Sequence, residues 1–155
     1  MDPIETLNAH YRAMPPVAAL QVRALRLEDG VLYLHAPLAA NINDKGCAFG
    51  GSLAGVMTLA GWGLLSLELA GAGHPGAEVY VADSQLRYLK PLYADLAAEA
   101  RLAPESDLAG FLRTFSERGR ARAMIQARIR DPDGTPVAEL TGRFAAFRTP
   151  GPGCA

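Results

Sequence analysis

Asn43-Asp44-Lys45-Gly46-Cys47-Ala48-Phe49-Gly50-Gly51-Ser52-Leu53 runs without a break into an apolar stretch that continues to Ala70. Its first residues are turn formers. Its last residues open a segment with no proline and few polar groups, so the reading is a loop over Leu38–Gly50 followed by a helix from Ser52 to about Ala70. Gly71-Ala72-Gly73-His74-Pro75-Gly76 ends that helix. From Gly46 to Leu67 there are 22 consecutive residues without a charge, long enough to cross a bilayer. The spacing Gly51-x-x-x-Gly55 also suits packed membrane helices. A helix that is apolar all round is equally what a curved sheet encloses. The flanking segments alternate polar and apolar residues as soluble strands do, which points to a buried central helix and no membrane.

Outward from the helix, the other elements follow from periodicity. Ile4, Leu7 and Tyr11 share one face of a short helix that Pro15-Pro16 should stop. Leu20–Leu27 and Val31–Pro37 flank Glu28-Asp29-Gly30 and read as a hairpin. Glu78–Leu89 and Ala94–Leu102 are strands separated by Lys90-Pro91. Leu108, Phe111, Leu112 and Phe115 recur at helical spacing before Gly119, which is placed as a helix stop. Ala121, Ala123, Ile125, Ala127 and Ile129 alternate with Arg120, Arg122, Met124, Gln126, Arg128 and Arg130, giving one buried and one wet face. Asp131-Pro132-Asp133-Gly134 turns the chain into a last strand over Pro136–Arg148. The expectation is an α+β fold: one domain over residues 1–148, with a curved antiparallel sheet wrapped around the long helix, and a flexible tail over 149–155.

Composition narrows the function classes. Half of the residues are apolar and 20% are charged, as in a globular domain. Fifteen basic residues against 16 acidic ones, for a net charge of −1, supply no field for nucleic acid, and the arginine stripe has no interleaved aromatics. Two cysteines, Cys47 and Cys154, do not make a disulfide framework and suit a reducing compartment. The start MDPIETLNAHYR lacks the basic and apolar regions of a secretory leader, so a cytoplasmic location is expected. His10, His35 and His74 are scattered without ligand spacing, so neither a metal site nor a cofactor is expected. Cys47 lies beside a helix start, where thiolates are stabilised, but it has no histidine near it in sequence to make it a nucleophile.

The order of elements resembles the hot-dog fold of acyl-thioester enzymes. Asn43–Leu53 looks like a variant of the Asn-x-x-Gly-x-x-His-Gly-Gly signature of acyl-CoA thioesterases, and Ala82–Pro91 resembles the strand and Pro turn that follow their central helix. Gly61-Trp62-Gly63-Leu64-Leu65 is similar to one branch, a thioesterase domain that some bacteria fuse behind a GNAT-type acetyltransferase domain. The resemblance implies an acyl thioester carried by coenzyme A or acyl carrier protein as substrate, and a homodimer or dimer of dimers. It also implies that Asn43 orients the reacting group and that Gly50 donates its N–H. The family's His is Phe49 here, and the helix carboxylate of many relatives falls on Thr58.

Elementary chemistry agrees with part of this. Gly50 and Gly51 at a helix start leave N–H groups bare, and the helix dipole favours developing negative charge on a thioester carbonyl. Threonine is no general base at neutral pH. Asp83 is therefore the expected water activator, with Ser84 or Thr58 holding the water. Phe49, Ser52 and Leu53 are expected along the acyl group, and Lys90 and Arg120, the latter in a stripe with Arg118 and Arg122, at the carrier's phosphates. The bland readings are an Asx-turn for Asn43, tight packing for the glycines, a structural carboxylate for Asp83 and a solvated face for the arginines. Three alternatives stay open: an acyl-thioester binding or regulatory protein without hydrolysis; a hydroxyacyl-thioester dehydratase, which usually needs a His paired with an acid that the sequence does not display; and a membrane protein built on the uncharged run, which aqueous extraction without detergent would exclude.

Overall fold

Helix α3, Gly50–Gly71, spans 22 residues and starts two positions before the expected Ser52. Phe49 is its extended N-cap (φ −66, ψ 133), so both glycines lie in the first helical turn. In this computed structural model, which describes residues 2–149, six antiparallel strands wrap around that helix in the order β1-β2-β4-β5-β6-β3. The strands are β1 Arg23–Glu28, β2 Val31–Ala36, β3 Glu78–Tyr88, β4 Leu96–Leu102, β5 Arg120–Arg130 and β6 Pro136–Phe147. This is the expected hot-dog arrangement. The apolar window of α3 is long enough to span a membrane, and half of it is buried against the chain's own core. Most of the expected tail, together with Cys154, lies outside the described residues.

Alternation decides which face of the sheet meets α3. Leu32 and Leu34 of β2, Ala98 and Ala100 of β4, Ile125 and Ile129 of β5, and Leu140 and Phe144 of β6 are all buried. They pack with Val56, Met57, Ala60, Leu64, Leu65 and Leu69 of α3, each large side chain contributing about 1.5–3 kcal/mol by leaving water. Two glycines let the helix come this close. A Cβ on Gly61 would sit 2.6 Å from Cζ of Phe144, and one on Gly63 would strike the Tyr11 hydroxyl. Trp62 fastens α3 to the edge strand, its Nε1 donating to the Val79 carbonyl at 2.9 Å.

The N-terminal segment corrects the sequence reading. Helix α1, Pro3–Ala13, ends near the expected place, but Pro15 then opens a second helix, α2, over Pro15–Leu20. A proline fits the first helical position because the N–H it lacks would have no partner there. The first strand accordingly begins at Arg23, not Leu20. Asn8 of α1 holds the other edge of the sheet, donating to the Ala24 carbonyl at 3.0 Å and accepting from its N–H at 2.7 Å, as a neighbouring strand would. Helix α4, Leu108–Arg118, is capped by Asp107 and stopped by left-handed Gly119 (φ 72), as expected.

Candidate functional site at the start of the central helix

The loop before α3 is tightly bonded to itself and to its neighbours. Asn43 Oδ1 accepts from the N–H groups of Lys45 (2.8 Å) and Cys47 (3.1 Å), and its Nδ2 reaches Cys47 Sγ at 3.3 Å. Asn43 therefore closes an Asx-turn, with Gly46 in the left-handed region (φ 85), and the buried Cys47 sulfur faces this turn. Two backbone bonds then aim the chain into the helix: Ala48 N–H to Leu92 O at 2.8 Å and Phe49 N–H to Asn41 O at 2.7 Å. Asn41 was not singled out by sequence. It is 2% exposed, its amide donates to the carbonyls of Leu20 and Pro37, and its Oδ1 has no partner among the described residues.

At the helix start, the N–H groups of Ser52 and Leu53 both bond the Phe49 carbonyl at 3.0 Å. Those of Gly50 and Gly51 have no partner among the described residues, and no side chain caps the helix. Two exposed rings flank the pair. The Phe49 ring lies 2.5 Å from where a Cβ on Gly51 would be, and Tyr88 Cε1 lies 3.9 Å from the corresponding point on Gly50. Phe49 and Tyr88 are each 56% exposed. Tyr88 is a further residue that sequence reasoning missed; its signal is position, on the helix-facing side at the end of β3. Bare donors, positive dipole and apolar walls suit a carbonyl oxygen that gains negative charge and is attached to an apolar group.

The other expected residues are dispersed. Ser52 and Leu53 are each 5% exposed, and Leu53 joins the core instead of lining the opening. The Thr58 hydroxyl donates to the Ala54 carbonyl at 2.8 Å, and Thr58 lies eight residues, about 12 Å, along α3 from Gly50. Asp83 stands on the outer face of the sheet and pairs with Arg143 at 3.3 Å. It is five residues, roughly 17 Å, up β3 from Tyr88. Ser84 faces the helix side, about 13 Å from Tyr88. Lys90 is at the right end of β3, but its ammonium is held by Asp131 at 2.7 Å, which raises its pKa.

Arg120 is far away. It lies opposite Phe147, whereas Tyr88 lies opposite Ala138, nine residues and about 30 Å along β6. The structure thus brings Phe49, Gly50, Gly51 and Tyr88 together within one chain, and does not bring Asp83, Thr58 or Arg120 to them.

Two acidic groups stand out elsewhere in the fold, and neither is at the helix start. Burial pushes the Glu68 carboxyl upward, but Glu68 is 18 residues, about 27 Å, along α3 from Gly50. A His–acid pair, not visible in the sequence, forms between His35 Nε2 and Asp95 Oδ2 at 3.1 Å. It lies on the side of β2 opposite the buried Leu34 and Ala36, away from α3. Among the described residues no group of His, Cys, Asp and Glu is arranged to hold a metal ion.

Comparison with known proteins narrows the assignment. Residues 5–148 match the model of a family described as "putative thioesterase (yiiD_Cterm)". The chain belongs to this family. A solved structure described as a "putative thioesterase" from Shewanella oneidensis is 27% identical, with a TM-score of 0.83 over 94% of this chain and 97% of that one. A protein of unknown function from Chlorobaculum tepidum is also 27% identical, with a TM-score of 0.85 over 94% of each chain. A thioesterase from Haemophilus influenzae shares the fold, with a TM-score of 0.75, at 15% identity over 99% of this chain and 96% of that one. The family match takes in both the Asx-turn loop and the two bare glycine donors.

Proposed function

We propose that the chain binds acyl thioesters at the start of α3 and hydrolyses them, the acyl group being carried by coenzyme A or acyl carrier protein. The observation that carries this reading is the pair of unpartnered N–H groups at Gly50 and Gly51, set between Phe49 and Tyr88 at the positive end of a 22-residue helix. A thioester oxygen accepting from them gains most as it becomes an oxyanion, which is the condition for lowering the barrier. The acyl group leaves along Phe49 and the half-buried face of α3.

Water activation falls to Asp83 of a second copy, with Ser84 as the polar group on the helix side. β3 is an edge strand whose outer edge is unpaired and whose Tyr80, Val81 and Tyr88 are exposed, features that favour pairing with the same strand of another chain. Such a homodimer moves Asp83 of one copy toward the Gly50 opening of the other. One observation favours a second reading, thioester binding without turnover: the register of β3 turns Asp83 to the outer face beside Arg143, about 17 Å of strand from Tyr88.

Release of free thiol from a panel of acyl-CoAs, measured beside their binding, separates the two readings. Turnover that falls at least tenfold in Asp83→Asn supports hydrolysis through that carboxylate. Binding at every chain length with no thiol release establishes the binder. The Asp83–Arg143 pair is exposed, so its loss leaves stability within about 1 kcal/mol and does not confuse the readout.

A further inference from the structure

The outer face of β5 carries four arginines in one row, and the structure treats its two halves differently. Arg128 and Arg130 converge with Arg101 on Glu99, at 3.8, 3.1 and 3.3 Å. Arg120 and Arg122, at the other end, and Arg118 at the end of α4 have no ion-pair partner among the described residues. These three cations line a cleft of about 410 Å³ together with Thr114 and Phe147. Phe147 is 43% exposed, with Tyr80 set edge-on to it at 6.0 Å.

The nearby acids are occupied or set aside. Glu78 accepts from the Tyr80 hydroxyl, and Glu105 and Asp107 share an adjoining cleft with Arg122 without forming an ion pair with it, Asp107 capping α4 through Gly110 N–H. Like charges gathered without a counter-ion repel one another, and an anion placed among them relieves that repulsion while filling the guanidinium forks two at a time.

We propose that this cleft is a nucleotide site: Arg118, Arg120 and Arg122 take a pyrophosphate group, and the base lies against the Phe147 ring. Guanidinium forks match phosphate oxygens, and an exposed ring beside them accepts a flat heterocycle. The ligand is either a free nucleoside diphosphate or the nucleotide half of coenzyme A. In the second case it serves the thioester site of another copy. Measured along β6, the Arg122 and Arg120 rows of the cleft lie about 23 and 30 Å from the Tyr88 row beside Gly50 of the same chain, whereas a pantetheine arm of thirteen bonds reaches only about 16 Å when extended.

Calorimetric titration of the full chain at low salt with ADP, adenosine 3′-phosphate 5′-diphosphate and inorganic pyrophosphate tests the site. At least one adenosine phosphate should bind with a Kd below about 1 mM. Arg120→Gln with Arg122→Gln should weaken it at least tenfold, and Arg128→Gln with Arg130→Gln should change it less than about twofold. Tighter binding of ADP assigns a free nucleotide; tighter binding of the 3′-phosphorylated diphosphate assigns the coenzyme A nucleotide.

If the double glutamine variant does not fold, Arg120→Lys with Arg122→Lys keeps the charge, and its binding should still weaken several-fold because the forks are lost. Absence of binding at about 5 mM, or binding indifferent to both double variants, overturns the site. Equal binding of pyrophosphate and ADP, unchanged by Phe147→Ala, overturns the nucleotide assignment. None of these measurements uses a thioester, so they stand or fall separately from the proposed hydrolysis.

Discussion

Gly50→Pro removes one backbone donor at the helix start and little else. Gly50 is the first residue of α3, where proline is tolerated because that N–H has no intrahelical partner. Phe49 already has φ −66 and ψ 133, the extended geometry that a residue before proline prefers. A Cβ at Gly50 meets only Tyr88 Cε1 at 3.9 Å, an ordinary contact. The stability change should therefore be small, about 0.4–1 kcal/mol in favour of the variant through a less flexible unfolded chain. That corresponds to a rise in Tm of no more than roughly 4 °C for a chain of this size. Loss of one oxyanion donor should lower kcat by about 10²–10³, or 2.7–4 kcal/mol. Gly50→Ala keeps the N–H and is the control. Thiol release from acyl-CoA, read beside thermal melting, makes the comparison. If folded Gly50→Pro turned over within about threefold of Gly50→Ala, the Gly50 N–H would not be the carbonyl donor.

Three other outcomes follow from packing and charge. Gly63→Ala drives a methyl into the Tyr11 hydroxyl and to within 2.9 Å of Leu32 Cδ2, disturbing the bond from Tyr11 to the Leu59 carbonyl. Overpacking and the lost bond outweigh the ~1 kcal/mol gain in helix propensity and leave a net loss of about 2–4 kcal/mol. Tm should fall by roughly 5–12 °C in calorimetry, whereas a rise would mean that α1 yields without cost. Asn8→Ala strands both polar groups of Ala24 and should cost about 1–3 kcal/mol, with faster amide exchange in β1 than in β5; uniform exchange would contradict its role as a strand substitute. The Leu38 N–H, and after it His35, hold the Asp95 carboxyl below its ordinary range. A carboxylate so lowered stabilises the fold above its unfolded pKa, near 3.9, and that support disappears as pH falls through the lower folded value. The gap in Tm between the wild type and Asp95→Asn should therefore narrow on acidification below about pH 4, and a constant gap would refute the assignment.

The local rules of the chain determined the elements. The uncharged run from Gly46 to Leu67, the alternation of β5, the stop at Gly119 and the Asx-turn chemistry of Asn43–Cys47 each depend on neighbours within a few residues, so they are legible in order along the sequence. What they could not supply is which distant groups meet. His35 and Asp95 are 60 residues apart, Asn8 and Ala24 are joined through an edge that no periodicity marks, and the tightness at Gly61 and Gly63 depends on Phe144 and Tyr11.

The candidate site shows the division most clearly. Gly50 and Gly51 are bare because a helix begins there, a start that the sequence places two residues later, at Ser52. The side of the sheet that Asp83 occupies is set by pairing between β3 and β6. Strict alternation from Val79 and Val81 would place Asp83 against α3, but the register shifts between Val81 and Asp83. One extra residue in a period of two sends every later side chain to the opposite face, so Asp83 turns outward to Arg143 while Ser84 and Tyr88 turn toward the helix. Sequence determined that a carboxylate stands in this strand. Only the register, which depends on a partner strand some 60 residues away, decided which way it faces.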